Sequence, residues 1–499
     1  MKTERFAHNP GDGTCTDRRP LGAAGQRARV VTNPDEFDLI VIGGGSAGFA
    51  AAIRAHEMGA KVALVNAGTL GGTCVNVGCV PSKTLIRAAE AHHQPTHHHF
   101  DGIQGTSRVT DFGAIIRQKD DLVGALRQAK YVDVIAAYEK VQPIEGRGSF
   151  RSADTVRVDG RDLRARRFII ATGSAPWIPP IPGLREADPL TSTTAFELDR
   201  LPESLIVLGG RYIALECAQM LARLGAKVTI LQRSDHLLPD EDEDLTEALA
   251  GYLREEGVEV ETSVTLERIV RGNDEVVVHA QVSGEARRFR AQRILAATGR
   301  RPITEGMGLE EVGIHLGEDG RIVVDDHLQT SRAGVYAAGD VIGEPMFVYT
   351  AAYEGNLAAA NALGQEAAMR DYRALPWVIF THPQVAGVGM NEKEALHAGI
   401  EIDVATLDLH NVPRALAARD TRGFIKLTKK RGGDQLLGMR VLAQEGGEQV
   451  MEGAMAIRHG IGVSQIAAMF HPYLTQAEGV KLCAQAFHKD VKKLSCCSA

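Results

Sequence analysis

The apolar run Leu39-Ile40-Val41-Ile42 leads straight into Gly43-Gly44-Gly45-Ser46-Ala47-Gly48, and an alanine-rich helical stretch follows from Phe49 to Met58. An uninterrupted apolar strand suits a parallel sheet covered on both faces. The glycines behind it permit a tight turn and let a pyrophosphate approach a helix N-terminus, as in a dinucleotide-binding unit. The next strand, Lys61 to Val65, arrives at the expected distance and ends at Asn66, where the pattern usually places a carboxylate on ribose hydroxyls. Asn66 can hydrogen-bond a hydroxyl, but without charge.

The pattern recurs. Leu205-Ile206-Val207-Leu208 runs into Gly209-Gly210-Arg211-Tyr212-Ile213-Ala214, with a helix to Leu224 and a second strand from Lys227 to Leu231. Arg211 stands where the second glycine is expected, and Ala214 takes the third place. Beyond this strand come Gln232 and Arg233; an arginine there pairs with a 2′-phosphate, which favours NADPH over NADH. Both units are followed by a strand ending in Ala-Thr-Gly, at Ala171-Thr172-Gly173 and Ala297-Thr298-Gly299. A further strand ends at Gly339-Asp340, whose carboxylate can hydrogen-bond the hydroxyls of a cofactor's sugar chain.

These features predict an α/β protein with two Rossmann-like dinucleotide-binding domains and a C-terminal α+β domain for subunit association. The expected boundaries are 1–33 (a disordered segment), 34–178 and 300–371 (two parts of the first domain), 179–299 (the second), and 372–499. The N-terminus lacks the apolar core of a signal peptide, and seven cysteines in 499 residues are too few for a disulfide scaffold. Both point to the cytoplasm. Leu39 to Ile53 is too short and glycine-rich to span a bilayer, and a net charge of −7 argues against nucleic acid.

Between the first unit's second strand and the rest lies Gly71-Gly72-Thr73-Cys74-Val75-Asn76-Val77-Gly78-Cys79-Val80-Pro81-Ser82-Lys83. Two cysteines about one and a half helical turns apart meet only if the first turn is distorted, which Gly78 allows. Such a pair can switch between dithiol and disulfide. Lone Cys15 has no second ligand nearby, and His92, His93, His97, His98 and His99 read as a solvated loop, since consecutive histidines point in different directions.

Two nucleotide units, the cysteine segment, both Ala-Thr-Gly strands and Gly339-Asp340 together resemble the pyridine nucleotide-disulfide oxidoreductases over residues 35–499. The resemblance implies FAD in the first unit, at Gly43, Gly45, Gly48, Asn66, Gly72, Thr73, Lys83, Thr172, Gly173, Gly339 and Asp340. It implies NADPH in the second, at Gly209, Tyr212, Glu216, Arg233 and Gly299, and a homodimer whose partner completes each active site. By correspondence Cys79 is the sulfur in contact with the flavin, Cys74 the sulfur nearer solvent, Lys83 and Glu216 an ion pair, and Tyr212 a gate over the flavin.

Within the family, Cys74 to Lys83, His471-Pro472-Tyr473-Leu474-Thr475 and the ending Leu494-Ser495-Cys496-Cys497 resemble the branch that reduces mercuric ion. Disulfide-reducing relatives keep a glutamate five residues after the histidine, to protonate a leaving thiol. Gln476 stands there in this chain, which suits a metal ion as substrate. The resemblance then makes Cys74, Cys79, Cys496 and Cys497 the ligands of Hg(II), and Tyr131 and Tyr473 flank the metal path. Lowered pKa values are expected at both inner cysteines. A Cys-x-x-Cys metal-binding domain is not expected in residues 1–33, so the metal would arrive bound to small thiols or from a partner protein. The rival readings are a high-molecular-weight thioredoxin reductase, a dihydrolipoamide dehydrogenase, and a flavoprotein that sequesters thiophilic metal without turnover.

Overall fold

The computed structural model describes residues 35–364 and 368–490. Cys15, Cys496, Cys497 and the segment 1–33 lie outside the described residues.

The chain opens with β1 (Glu36–Ile42), α1 (Ser46–Glu57), β2 (Val62–Asn66), α2 (Gly72–Val77), α3 (Cys79–His93) and α4 (Phe112–Arg127). It continues through β3 (Val141–Glu145), β4 (Gly148–Ser152), β5 (Thr155–Val158) and β6 (Arg161–Ile170). These strands form one sheet in the order β3-β2-β1-β6-β5-β4. β1 pairs in parallel with both β2 and β6, and the strand Val335–Ala337 lies parallel to the end of β6. The register places Ile42 and Ala337 opposite Ile170. Consequently Gly43, the Ala171-Thr172-Gly173 turn and Gly339-Asp340 all leave the sheet at one edge. Carboxyl edges of parallel strands are where such sheets bind ligands.

α1 begins at Ser46 rather than Phe49, with Gly48 inside its first turn. A Cβ on Gly48 would lie 1.8 Å from the Gly43 carbonyl oxygen, so the third glycine lets the helix press onto the strand. Leu39, Ile40, Val41 and Ile169 are fully buried beneath it. Each such side chain contributes roughly 1.5–3 kcal/mol of burial.

The second unit repeats the plan in four parallel strands ordered Glu259–Glu261, Lys227–Leu231, Ser204–Leu208 and Arg293–Ala296. Its helix Tyr212–Leu224 carries Leu215, Ala218 and Leu221 inward, where they share one apolar cluster with Leu85, Ile86 and Ala89 of α3. That shared core locks the cysteine-bearing helix onto the second nucleotide unit. The C-terminal section is a five-stranded antiparallel sheet, from Trp377–Ile379 across to Ile402–Asp408, with the helices Gly446–His459 and Glu478–Gln485.

The histidine cluster divides: His97, His98 and His99 lie in the expected loop, whereas His92 and His93 belong to a helix. α3 runs on to His93, and the rings of His93 and His97 stack at 3.6 Å. Burial pushes His93 down to about 4, assisted by nearby Arg223. Among the described residues, no group of three or more His, Cys, Asp or Glu is arranged to hold a metal ion. No helix among them is long and apolar enough to cross a membrane.

Candidate functional site

A single residue, Gly78, separates α2 from α3, with φ −126° and ψ −105° breaking the helical path. A Cβ there would stand 2.9 Å from the Thr73 carbonyl oxygen, so the break closes tightly only around glycine. This brings Cys74, in the first turn of α2, against Cys79 at the start of α3. Both are free thiols in contact through a side-chain hydrogen bond. That hydrogen bond from Cys74 lowers Cys79 to about 7, against the opposing effect of burial and with help from Lys83. Cys74 moves the other way. Its bond to Cys79, then its burial, hold its proton far above the usual thiol range. The expectation of two lowered thiols is therefore corrected to one, because the two sulfurs share a single proton.

Lys83 sits one turn further along α3 and donates to Glu216 at 2.6 Å, forming the expected ion pair. The other Glu216 oxygen accepts the Phe380 backbone N–H at 3.0 Å, and Lys83 Nζ lies 4.5 Å from the Phe380 ring centroid. One carboxylate thus joins both nucleotide units to the C-terminal section.

Cys74, Cys79 and Lys83 open on a cavity of about 1720 Å³ shared with Gly43–Ala47, Asn66, Gly72, Thr73, Thr172, Gly173, Gly339 and Asp340. Tyr212, Glu216 and Gly299 close another side of it. Two observations test its fit to nucleotide cofactors. α1 has no side-chain cap at Gly45, so its first N–H groups are open to an anion. Gly45 and Gly72 face each other so closely that a Cβ on Gly72 would lie 2.6 Å from the Gly45 Cα, leaving a cradle of bare backbone. The residues fit a dinucleotide.

The family model for pyridine nucleotide-disulphide oxidoreductases matches residues 37–355, and that for the family's dimerisation domain matches 375–484. The chain belongs to the pyridine nucleotide-disulphide oxidoreductase family. It is similar to curated mercuric reductases: 46% identical to that of Streptomyces lividans over 93% of this chain and 98% of the relative. To that of Shigella flexneri it is 44% identical (92% and 82%), and to that of Staphylococcus aureus 42% (93% and 84%). Among solved structures it resembles the Cu(II) complex of the HOCl-induced flavoprotein disulfide reductase RclA of Escherichia coli. That match has a TM-score of 0.82 and 30% identity, and covers 91% of this chain and 100% of that one. As an oxidoreductase of this family the chain uses FAD and NADPH.

Asn66, the departure from the family's usual carboxylate, is committed inside the loop. Its Oδ1 accepts from the Gly44 N–H at 3.0 Å, and its Nδ2 donates to the Gly68 carbonyl. A carboxylate could accept from Gly44 but would repel the Gly68 oxygen. Asp340 accepts from the Ser174 hydroxyl at 2.6 Å, and Ser174 in turn accepts from Arg300 Nε at 2.7 Å. Arg233 is exposed beyond the strand Lys227–Leu231, away from the cavity wall. Arg211 pairs with Asp240 at 2.5 Å. Tyr131 lies outside the cavity lining: its ring meets Phe49 edge-on at 4.8 Å, its hydroxyl bonds Ser46, and burial raises its pKa. Tyr473 is 57% exposed on the C-terminal section, beside fully exposed Phe470.

Sequence reasoning missed several residues. His471 does have a carboxylate partner: its Nε2 lies 2.8 Å from Glu452 Oε1, on the helix Gly446–His459, while Nδ1 faces the Met469 carbonyl at 3.3 Å. Gln476 is not that partner, and its Oε1 is buried without one among the described residues. No spacing rule links positions 452 and 471. Arg300 follows the second Ala-Thr-Gly directly, a signal that could have marked it. Glu354, 1% exposed, accepts the Gly339 N–H at 2.6 Å and so shapes the turn that aims Asp340.

Proposed function

We propose that the protein reduces mercuric ion to elemental mercury at the expense of NADPH, through FAD and the Cys74–Cys79 pair. The overall balance is Hg²⁺ + NADPH → Hg⁰ + NADP⁺ + H⁺. The observation that carries this reading is the sulfur pair itself, two free cysteines brought together by the Gly78 break, with Cys79 the more acidic. A soft, two-coordinate cation takes two thiolates in preference to oxygen or nitrogen ligands. Its near full-length similarity to curated mercuric reductases supports the same conclusion.

FAD, when bound, supplies the two-electron carrier between NADPH and the sulfur pair. In this reading Gly43, Gly45, Gly48, Gly72 and Thr73 hold its pyrophosphate side, with Asn66 at the ribose, Asp340 at the sugar chain, and Thr172 and Gly173 on the facing turn. Gly209, Gly299 and Arg233 hold NADPH, and Tyr212 moves aside to admit its nicotinamide. Cys79, lowered to about 7, offers a ligand that is about half ionised at neutral pH, whereas Cys74 releases its proton as it binds. Lys83, paired with Glu216, keeps a cation beside the thiolate and balances negative charge there.

In the homodimer that the dimerisation domain supports, Cys496 and Cys497 capture thiol-bound Hg(II) and pass it inward by thiolate exchange, with Tyr131 and Tyr473 along the route. His471 pairs with Glu452 rather than with position 476, where disulfide-reducing relatives keep their glutamate, and Gln476 in that place favours a metal ion over a disulfide as acceptor. The reducing cytoplasm, with NADPH and small thiols, is the compartment this chemistry suits.

The test is NADPH oxidation by the purified protein in excess small thiol, with Hg(II), Cu(II), oxidised thioredoxin and lipoamide compared as acceptors. Mercury vapour formed in step with NADPH consumption is the expected result. Turnover with thioredoxin or lipoamide and none with Hg(II) would overturn the proposal.

A further inference from the structure

Tyr212 does not stand alone in the cavity wall. Its ring lies between those of Phe347 and Trp377, with centroids 6.0 and 5.7 Å away and planes within 14° and 13° of parallel. Such offset stacking is favourable at these separations. Each ring comes from a different section: Tyr212 opens the second unit's helix, Phe347 precedes the helix Val348–Leu363, and Trp377 starts the first strand of the C-terminal sheet. Tyr349 continues the stack beyond Phe347 at 5.3 Å, and its hydroxyl donates to the Pro376 carbonyl at 2.5 Å, beside Trp377.

Trp377 is itself fixed from behind. Its indole lies flat against Gly387, the residue paired with it across the sheet, where a Cβ would stand 2.5 Å from the ring. Arg440 lies over the ring at 5.4 Å. That guanidinium is buried, donates to Glu241 at 2.6 Å, and reaches the carbonyls of Val388, Gly389 and Met439 at 3.1 Å each. Glu241 belongs to the second nucleotide unit, so the interface between that unit and the C-terminal sheet sets where the indole sits.

We propose that Trp377 and Phe347 are positioning residues that clamp Tyr212 in its nucleotide-free place, with Arg440, Glu241 and Gly387 fixing Trp377 in turn. The inference rests on Tyr212 being the element that moves to admit nicotinamide. Among the described residues the Tyr212 hydroxyl carries no hydrogen bond, whereas Tyr349 is tied to backbone and Trp377 is backed by buried charge; of these three rings Tyr212 is the one free to leave. Nicotinamide binding must separate Tyr212 from two rings, and the clamp sets how much nucleotide that takes.

The chain contains only two tryptophans, Trp177 and Trp377. In Trp177→Phe holoenzyme the emission of Trp377 alone reports on the clamp. Titration with NADP⁺ is expected to change that emission, and 2′-phospho-ADP-ribose, which lacks nicotinamide, is expected to leave it unchanged. Trp377→Leu is expected to lower the KM for NADPH roughly 2- to 10-fold, the equivalent of one lost ring stack, with FAD content retained. Trp377→Phe should return KM toward the parent value. Silent Trp377 emission with NADP⁺, or a KM unchanged or raised in Trp377→Leu, overturns the clamp. The gate is tested separately: if Tyr212→Ala leaves the rate of flavin reduction by NADPH unchanged in stopped flow, the gate reading falls and the clamp with it. If that rate changes while Trp377 stays silent, only the clamp falls.

Discussion

Removing the Cys74 thiol should cost Cys79 most of its thiolate. Cys79 is lowered from an ordinary 9.0 to about 7, and the largest cause is the hydrogen bond it accepts from Cys74, ahead of the attraction of Lys83. At pH 7 a thiol of pKa 9 is about 1% ionised, and one of pKa 7 about half, a difference of roughly 50-fold in thiolate. The more acidic sulfur is also a weaker nucleophile, by roughly 6- to 10-fold over two units, so alkylation at pH 7 gains only about 5- to 8-fold. The pH midpoint is therefore the cleaner observable. Anaerobically reduced protein is treated with iodoacetamide across pH 5–10, and modified Cys79 is followed by mass spectrometry of the Cys74–Lys83 peptide. Reactivity in the parent rises with pH through about 7. In Cys74→Ala the midpoint climbs by at least about one unit, since burial then lacks its main opponent. Cys74→Ser, which keeps a hydroxyl donor, climbs less, and Lys83→Met also climbs less than Cys74→Ala. A Cys74→Ala midpoint still near 7, or a larger rise in Lys83→Met, would refute the shared-proton account.

Gly48→Ala should destabilise the first nucleotide unit by about 3 kcal/mol or more and empty it of FAD, because the new methyl meets the Gly43 oxygen at 1.8 Å. Gly124→Ala, in α4 with nothing within 4 Å and away from the cavity, is the neutral control; melting temperature and bound-flavin absorbance distinguish them. Glu452→Ala is expected to lower stability by about 1–2 kcal/mol by stripping His471 of its partner, while leaving turnover with Hg(II) in place; a proportional loss of turnover would assign the pair a chemical role. Replacing Cys496 and Cys497 by alanine should leave flavin reduction by NADPH intact and slow turnover with thiol-bound mercury, and unchanged turnover would show the tail to be incidental.

What the sequence revealed was local. Both strand–turn–helix units, the Ala-Thr-Gly turns and the break at Gly78 are written in contiguous residues whose backbone needs are strict. Each stands within a few residues of its expected place. α1 starts three residues early because Gly48, taken as part of the turn, serves the helix packed over it. Two of the five histidines fall outside the expected loop for a related reason: α3 does not stop where the apolar pattern fades, since packing of its far end on the second unit carries the helix to His93. Lys83 and Glu216, 133 positions apart, were paired through family resemblance alone, and no periodicity connects them.

What stayed hidden was supplied from a distance. The absent glutamate after His471 suggested that the histidine had lost its carboxylate, yet Glu452 reaches it from another helix, 19 residues upstream. Asn66 lacks the charge of the usual ribose ligand, and its amide also closes a loop that a carboxylate would strain by facing the Gly68 carbonyl. Both substitutions make sense only with the third dimension in hand: in one the carboxylate comes from another helix, and in the other a charge gives way to an amide that bridges two turns. The same holds at the redox pair. Its two cysteines are local, but the cation that favours the thiolate is held by a carboxylate from the second unit, and that carboxylate is oriented by the Phe380 N–H of the C-terminal sheet. A change in how the C-terminal sheet seats against α3 therefore alters the acidity of Cys79 without touching either sulfur.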